Sequence, residues 1–267
     1  MELKGKVAVV TGASAGIGRA TAVELALGGA TVVVSARREE RLKELVQDIE
    51  RQGSKALAVP CDVSDRVQVG VLRQRVENEY GRCDVLVNNA GVPGGGPFAE
   101  LSMEQIERIT QTNYMGVLYC SKAFLPMMLE AGSGHIVNVA SLAGRYAIPG
   151  SSVYTSTKHA VVAFSEALYY ELMPRGIVVT AVNPGLVSTE TFPHRDMLAK
   201  RPGLVMQPER IGEAIVEVIR KGKGPEVSIP RWLASFQAIR VLAPPLYRFG
   251  LTRAVKRGMR ATRAGEG

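Results

Sequence analysis

A tyrosine and a lysine four residues apart are the clearest candidates for chemistry in this 267-residue sequence. Tyr154 and Lys158 lie in SSVYTSTKHA, a segment that predicts helix, so both side chains should lie on one helical face. A free tyrosine has a pKa near 10 and is seldom ionised at neutral pH. A cation ~5 Å away, at an effective dielectric constant of about 20, favours the phenolate by about 3 kcal/mol, or about two pKa units. The pair therefore predicts acid–base catalysis by the tyrosine; the alternative is packing beside a surface charge.

Two further polar residues could take part in the same chemistry. Ser141 follows the apolar run GHIVNVA, and a hydroxyl after such a strand can stabilise developing negative charge on a substrate oxygen. The alternative role for this serine is to cap a turn. Asn113 lies in QTNYMG, inside a segment that predicts helix, where asparagine is a poor helix former. It is either a functional residue or a satisfied polar residue of that helix.

A glycine-rich turn, TGASAGIG at residues 11–18, follows the first predicted strand. Gly12 permits the tight turn, while Gly16 and Gly18 let the backbone approach a ligand and the next helix pack closely. The free N–H groups at the start of that helix favour an anion such as a pyrophosphate. The spacing differs from the commonest dinucleotide fingerprint, G-x-G-x-x-G, so a purely structural turn is the alternative.

The second predicted strand ends in SARR, at residues 35–38. Dinucleotide-binding folds that use NAD place an acidic residue near this point to hold the ribose 2′-hydroxyl. This chain has Arg37 and Arg38 instead, and guanidinium groups match the oxygens of a 2′-phosphate. NADP(H) is therefore favoured over NAD(H), with Arg37 expected to contribute more than Arg38. The alternative is that both arginines belong to the surface of the following helix.

The elements that must position these residues alternate along the chain. Such alternation indicates βαβ units, a parallel sheet with helices on both faces and ligand binding at the carboxyl ends of the strands. The sequence therefore predicts an α/β fold, a Rossmann-like doubly wound sheet in one domain. The predicted strands lie at 6–12, 30–36, 55–63, 83–91, 134–144, 176–185 and 226–230. The predicted helices lie at 16–29, 38–52, 64–80, 152–173 and 208–222, with one or two further helices at 103–131.

Five motifs in a fixed order give the sequence a family resemblance: TGASAGIG, NNAG at 88–91, Asn113, Ser141 and YTSTK at 154–158. Over about residues 4–230 the chain resembles the short-chain dehydrogenase/reductase family in its single-domain form. The resemblance implies that Asn113, Ser141, Tyr154 and Lys158 are the catalytic residues. It further implies that Lys158 bonds the nicotinamide ribose and that Asn113 holds a water linking Lys158 to solvent. Pairing of the helices at 112–131 and 152–173 in a homodimer or homotetramer is also implied.

The same resemblance extends to a cofactor site, because NPGLVST at 183–189 is similar to the family's cofactor loop. Asp62 and Val63 would flank the adenine, and Asn88, Ala90 and Gly91 would line its ribose. The nicotinamide carboxamide and the pyrophosphate would be held by Pro184, Gly185, Val187 and Thr189. The expected cofactor-binding residues are Gly12, Ser14, Gly16, Ile17, Gly18, Arg37, Arg38, Asp62, Val63, Asn88, Ala90, Gly91, Tyr154, Lys158, Pro184, Gly185, Val187 and Thr189.

A long irregular stretch at about 188–207 predicts a lid over the substrate. Its apolar side chains suggest a lipophilic carbonyl or alcohol, although they could equally serve local packing. These side chains are Phe192, Met197, Leu198, Leu204 and Met206.

The last 37 residues are distinct in charge. Residues 231–267 hold eight basic residues and one acid, so they carry +7 of the total charge of +8. We therefore divide the chain into a catalytic domain at 1–230 and a basic amphipathic extension at 231–267, where Leu251, Val255 and Met259 oppose several basic residues. Such a segment can lie on an anionic membrane surface. Packing on the body or on a neighbouring subunit is the alternative, and nucleic acid is disfavoured because no recognition motif accompanies the charge.

Composition narrows the remaining classes. Cys61, Cys83 and Cys120 have no metal-type spacing and suggest reduced thiols. The three histidines form no ligand spacing either, so no metal site is expected. No signal peptide or membrane-spanning run is evident, which predicts a cytoplasmic protein, peripheral at the inner face of a membrane if the extension binds there.

Taken together, the residues predict an oxidoreductase that transfers a hydride between NADP(H) and a small-molecule carbonyl/secondary alcohol pair. Two alternatives stay open: a 3-oxoacyl-thioester reductase, and a membrane-associated scaffold that retains a nucleotide fold.

Overall fold

The computed structural model describes residues 1–190 and 205–253. Seven parallel strands form the main sheet, in the order β3-β2-β1-β4-β5-β6-β9. The predicted doubly wound α/β fold is confirmed. The strands of this sheet are β1 Val7–Thr11, β2 Thr31–Ala36, β3 Ala56–Pro60, β4 Val85–Asn88, β5 Gly134–Val139, β6 Ile177–Pro184 and β9 Glu226–Ile229, and a separate pair joins β7 Leu186–Val187 to β8 Val205–Met206.

Helices follow the strands as the sequence pattern predicts. They are α1 Gly16–Leu27, α2 Glu39–Arg51, α3 Arg66–Tyr80, α4 Met103–Thr110, α5 Gly116–Ala131, α6 Ser152–Leu172, α7 Pro208–Lys221, α8 Leu233–Leu242 and α9 at 244–253. Local signals set several of their ends. The Asp65 carboxylate caps α3 by accepting from the N–H groups of Val67 and Gln68, and Ser102 forms a capping box with Gln105 on α4.

Both faces of the sheet are buried, which explains why its strands are continuous apolar runs. Ala8 and Val10 of β1 pack towards α1, α2 and α7, while Val7 and Val9 pack towards α3, α5 and α6. Alternate side chains of a strand point to opposite faces, so this one short strand supplies both layers of core.

The strand order reverses beside β1, which pairs with β2 on one side and β4 on the other. In open parallel sheets this reversal leaves a crevice beyond the carboxyl ends of the two strands. The glycine turn after β1 and residues 89–92 after β4 therefore meet at the same place.

The segments at the end of the chain are described only in part. Most of the predicted lid, residues 191–204 with Phe192, Met197, Leu198 and Leu204, lies outside the described residues, as do residues 254–267 with Val255 and Met259. The extension begins directly after β9 and forms α8 and α9. Of the helices in the described ranges, none has the length and apolar content to cross a membrane.

Candidate active site

Ser141, Tyr154 and Lys158 come together at the carboxyl end of β5. Ser141 lies two residues beyond the end of that strand and caps a short 3₁₀ turn, its Oγ accepting from the N–H of Ala143 at 3.1 Å. The Tyr154 side chain, on the first turn of α6, is hydrogen-bonded to Ser141. One turn further along α6, the Lys158 Nζ lies 5.8 Å from the centroid of the Tyr154 ring. A substrate oxygen beside the Ser141 and Tyr154 hydroxyls would meet two hydrogen-bonding groups at once.

The ionisation of the pair differs from the sequence-based expectation. Burial raises the pKa of the Tyr154 phenol, and the hydrogen bond with Ser141 offsets this only in part. Burial also lowers the pKa of Lys158 to about 8. The predicted lowering of the tyrosine pKa by about two units is therefore wrong for the chain as the structure places it. The expectation counted the attraction between the two groups and omitted the desolvation that both undergo.

Lys158 is held by the end of β5. Its Nζ donates a hydrogen bond to the carbonyl of Val139 at 2.9 Å, and its side chain is buried. This contact fixes the ammonium beneath the Tyr154 ring, on the side of the cleft where β5 ends. The lysine is thus oriented by the protein before any ligand binds.

Asn113 lies in a π-helical turn, Gln111–Met115, between α4 and α5. Such turns recur at functional sites. Its buried amide accepts from the N–H of Val92 at 2.7 Å and donates to the carbonyl of the same residue at 3.0 Å. The side chain therefore fixes the loop after β4 beside Gly91, where an added Cβ would lie 3.8 Å from the Lys158 Nζ. The expected role of Asn113 in holding a water stays a prediction.

The glycine turn has the geometry of an anion cradle. Gly12 has φ +65°, and a Cβ there would lie 2.7 Å from the Cα of Ala90, so no side chain fits. Ala15 precedes α1, and no side chain caps the first N–H groups of that helix. Since uncapped helix N-termini favour anions, the described residues fit the pyrophosphate of a dinucleotide.

The two arginines after β2 border the same crevice but differ in their contacts. The Arg38 guanidinium donates to Ser14 Oγ at 2.9 and 3.2 Å and pairs with Glu190 at 3.2 Å. Arg37 has a side chain that is 64% exposed and pairs with Asp62 only at 3.8 Å. Arg38 is therefore the more restrained of the two cations, and Arg37 the one more available to a ligand.

A single cleft of about 740 Å³ joins these groups. It runs from the glycine turn and the arginines past the end of β4 to Ser141 and Tyr154. Of the predicted cofactor residues, those that line it are Gly12, Ser14, Gly16, Ile17, Arg37, Arg38, Asp62, Val63, Ala90, Gly91, Tyr154, Lys158, Pro184, Gly185, Val187 and Thr189.

Two predicted cofactor residues do not line the cleft. Asn88 is buried, and its Nδ2 donates to Ser121 Oγ at 3.0 Å and to Asn138 Oδ1 at 2.8 Å, so it braces the sheet and α5 instead. Gly18 is a packing residue, because a Cβ there would lie 2.3 Å from Asn89 Nδ2. The structure therefore gives Gly18 a part in supporting the turn, and its direct contact with a cofactor stays a prediction.

Asn89 is the residue that the motif reading missed. Its Nδ2 donates to the carbonyls of Thr11 and Gly12, at 3.0 and 3.2 Å, and so ties the loop after β4 to the glycine turn. The motif NNAG contains two asparagines, so the sequence did point to this position. It did not show which of the two faces the sheet interior, because that depends on how side chains alternate along the strand. Arg108, Thr112, Ile148 and Ser151 also line the cleft without a sequence signal.

Histidines and cysteines in the described ranges take structural positions. His135 is buried against Thr180, and burial lowers its pKa to about 4. The three cysteines are free and buried. Across residues 1–190 and 205–253 there is no group of three side chains that could hold a metal ion. His194 lies outside the described residues.

Comparisons with known proteins agree with this geometry. The family model described as short chain dehydrogenase matches residues 6–197. The ketoacyl reductase HetN of Nostoc is 37% identical over 229 residues, which are 85% of this chain and 79% of the relative. The farnesol dehydrogenase of Aedes aegypti is 38% identical over 232 residues, 84% of this chain and 93% of the relative.

A solved structure is similar over most of the chain. The crystal structure of a variant of actinorhodin polyketide ketoreductase with NADPH superimposes with a TM-score of 0.77 at 34% sequence identity. The match covers 84% of this chain and 95% of the ketoreductase chain.

Proposed function

Because the chain belongs to the short-chain dehydrogenase family, we propose that it transfers a hydride between NADP(H) and a carbonyl compound or the corresponding secondary alcohol. The observation that carries this proposal is the meeting of Ser141, Tyr154 and Lys158 in one cleft with the glycine turn. A nicotinamide cofactor held in this cleft would supply or accept the hydride. The side chains of this chain bind the substrate oxygen and move its proton.

In the reductive direction, the Ser141 hydroxyl hydrogen-bonds the carbonyl oxygen and stabilises its developing charge. Tyr154 donates its phenolic proton to that oxygen. Burial raises the pKa of the phenol, which keeps it protonated but makes it a weaker acid, and the hydrogen bond with Ser141 acts in the opposite direction. Lys158, with a pKa near 8, is largely cationic at neutral pH and attracts the phenolate that remains. Asn113 holds the loop at residue 92 in place through its hydrogen bond with the N–H of Val92.

The residues at the end of the cleft that would hold the cofactor phosphates support NADP(H) as the cofactor. Arg37 and Arg38 stand after β2 where an acid would favour NAD(H), and the similar ketoreductase structure contains NADPH. Around them, Asp62 and Val63 would flank the adenine, while Pro184, Gly185, Val187 and Thr189 would bind the carboxamide and the pyrophosphate. Thr189 supports this placement because its methyl carbon lies 3.1 Å from where a Gly16 Cβ would be.

A lipophilic substrate is supported by the apolar residues that line the catalytic end of the cleft. Val92, Pro93, Ile148 and Leu186 are among them, and one relative is named a farnesol dehydrogenase. These residues offer burial to a hydrocarbon group attached to the reacting carbon.

A 3-oxoacyl-thioester reductase is the second candidate. Arg108 on α4 lines the cleft, and its guanidinium makes no hydrogen bond or ion pair with any described residue. Such a cation suits the phosphate of an acyl-thioester carrier arm. The relative from Nostoc is named a ketoacyl reductase, which supports the same reading.

One experiment separates these functions. NADPH and NADH are titrated by fluorescence, and turnover is then measured on ketones of increasing hydrophobicity and on 3-oxoacyl thioesters, with wild type and Arg108→Ala. A lipophilic-substrate enzyme favours the apolar ketones and is little changed by the substitution. An acyl-thioester reductase favours thioesters, and Arg108→Ala raises KM for them alone. Nucleotide binding without turnover on any substrate would favour the scaffold alternative.

Family members typically bind small molecules and form oligomers. For this chain, pairing of the helices at 112–131 and 152–173 in a homodimer or homotetramer is the proposed assembly. Sedimentation analysis distinguishes these states from a monomer, which would contradict the proposal.

Peripheral binding of the extension to an anionic membrane surface completes the proposal. Large apolar side chains on α8 and α9 are exposed, including Leu242 at 82% and Phe249 at 66%. Basic residues such as Arg248 and Arg253 lie on the same segment. Apolar groups that insert and cations that attract anionic headgroups are the features of an interfacial helix.

A further inference from the structure

The C-terminal helices contact the turn that carries the catalytic serine. This turn, residues 141–146, is closed by backbone bonds from Gly144 N–H to the carbonyl of Ser141 and from Tyr146 N–H to that of Leu142. The Tyr146 ring lies 6.4 Å from the Tyr247 ring of α9. The extension is therefore in contact with the active-site turn from its outer side.

Arg240 of α8 makes the most direct contact. Its guanidinium donates to the backbone carbonyl of Arg145, at the end of the serine turn. The same nitrogen lies 3.1 Å from Nε2 of His159, the residue after the catalytic lysine. Since His159 Nδ1 lies 2.9 Å from the carbonyl of Thr155, a neutral ring that donates from Nδ1 can accept from Arg240.

A second set of contacts fixes the same turn to the sheet. Arg145 Nε donates to Glu226 at 2.7 Å, and its second nitrogen pairs with the other carboxylate oxygen. Glu226 also accepts from Asn183 of β6 at 2.5 Å and from Gln237 of α8 at 3.3 Å. The serine turn is thus bound to β6, β9 and α8 at once.

The turn also lies directly on the helix that bears Lys158. A Cβ at Gly144 would be 2.7 Å from the Lys158 carbonyl, so the two backbones are in close contact. A shift of the turn would therefore change the position of Ser141 relative to Tyr154 and Lys158.

We propose that Arg240 is a positioning residue for catalysis, whose guanidinium holds the serine turn and the lysine helix in their relative position. The inference rests on the proposed function, since it assigns Arg240 a part in the same reaction. It gives the C-terminal helices a role in turnover besides any contact with a membrane.

The test replaces Arg240 by Met, which keeps the apolar stem, and by Lys, which keeps N–H donors and the charge. Arg175→Met is the control, because it removes an equal charge from an exposed site before β6. We expect Arg240→Met to lower kcat about tenfold or more, since small displacements of reacting groups are costly. The Kd for NADPH should stay within about twofold, Arg240→Lys should recover most of kcat, and the control should match wild type.

Hydrogen exchange gives a readout that does not depend on activity. Arg240→Met should speed exchange of the amides at 141–146, and Arg175→Met should not. An unchanged kcat and unchanged exchange in folded Arg240→Met would overturn the inference, as would a loss of rate that only follows the folded fraction. If wild type turns over no substrate, the proposed function fails, and exchange alone still decides the positioning. Should Arg240→Met not fold, Tyr247→Leu, which removes the other contact to this turn, is measured in the same way.

Discussion

Burial is the main cause of the pKa shifts of Tyr154 and Lys158, the proposed catalytic pair. Burial raises the pKa of Tyr154 and lowers that of Lys158, so both shifts favour the neutral forms. A neutral phenol is the form that gives a proton to a carbonyl oxygen. Burial therefore keeps the phenol protonated in the free protein, and oxidation of an alcohol requires the phenol to lose this proton first.

The buried lysine predicts a pH dependence of stability. With a folded pKa of about 8 and an ordinary value of 10.5, the unfolded chain binds more protons between these pH values. The cost of burying the ammonium is full below pH 8, declines as the pH rises and vanishes above 10.5. The unfolding free energy of wild type relative to Lys158→Met should therefore rise by about 2 kcal/mol from pH 7.5 to 9.5. Urea unfolding at both pH values measures it, and a constant or falling difference would show that the ammonium is not destabilised by burial.

The arginines after β2 predict cofactor selectivity. Arg37→Ala should raise KM for NADPH by about tenfold or more and leave KM for NADH nearly unchanged, because charge-assisted hydrogen bonds to a 2′-phosphate are lost. Arg38→Ala should have a smaller effect, since Ser14 and Glu190 already hold that guanidinium. Arg51→Ala, at an exposed site at the end of the following helix α2, is the control. Steady-state kinetics with both cofactors test this; equal losses with NADH, or a larger effect at Arg38, would contradict it.

At the scale of residues, the sequence was sufficient to predict which side chains form the candidate site, but not the surroundings that determine their pKa values. The serine, tyrosine and lysine could be predicted because their spacing and order are local features of the chain. The pKa of Tyr154 could not, because it depends on how much water the folded cleft excludes. The choice between Asn88 and Asn89 likewise depended on which side chain faces the sheet interior.

Among the elements, the glycine turn is in close contact with the loop that follows β4. The turn contacts the loop after β4 through Gly12 and Ala90, and Asn89 bonds its carbonyls. Space for a side chain is absent at Gly18, where an added Cβ would lie 2.4 Å from the Gly12 carbonyl oxygen. Binding of a nucleotide here depends on backbone contacts that side chains would prevent.

A pair of glycine substitutions tests this packing. Gly18→Ala should weaken NADPH binding at least tenfold and lower the unfolding free energy, because the clash displaces the turn or Asn89. Gly70→Ala on α3 should instead raise the unfolding free energy by about 0.5–1 kcal/mol, since its added Cβ meets no atom within 4 Å. Fluorescence titration and urea unfolding measure both. Normal NADPH binding by Gly18→Ala would contradict the account of the turn.

The elements themselves were largely predictable, because each strand is an apolar run ended by a turn residue and each helix has its own apolar spacing. The 103–131 segment was predicted as one or two helices and contains α4, a π-helical turn and α5. The π-helical turn could not be predicted, since it is fixed by bonds between Asn113 and Val92, 21 residues away.

At the scale of the whole molecule, the C-terminal extension carries most of the net positive charge. It also bears several exposed large apolar side chains. The sequence indicated a basic extension, and the structure adds that its described part, up to residue 253, also contacts the active-site turn. That contact was not predictable because Arg240 and Arg145 are 95 residues apart and carry the same charge. We therefore propose two roles for the extension: binding to an anionic membrane surface, and positioning of the turn that carries Ser141.

The membrane proposal is tested on the full chain. Leu242→Glu combined with Phe249→Glu should reduce flotation with anionic vesicles severalfold at moderate salt, because carboxylates oppose both insertion and attraction. Val71→Glu, an exposed apolar site on α3, is the matched control. Equal flotation of wild type and the double variant would remove the membrane hypothesis.

The most direct test of the proposed chemistry is the turnover of Tyr154→Phe, which removes one hydroxyl and keeps the ring. With NADPH and the best carbonyl substrate found for wild type, kcat should fall by about 10²–10⁴-fold, the range expected for loss of a general acid. The Kd for NADPH should change little, because the ring and Lys158 remain. A variant that keeps wild-type kcat while binding NADPH normally would contradict the assignment of Tyr154 as the proton donor.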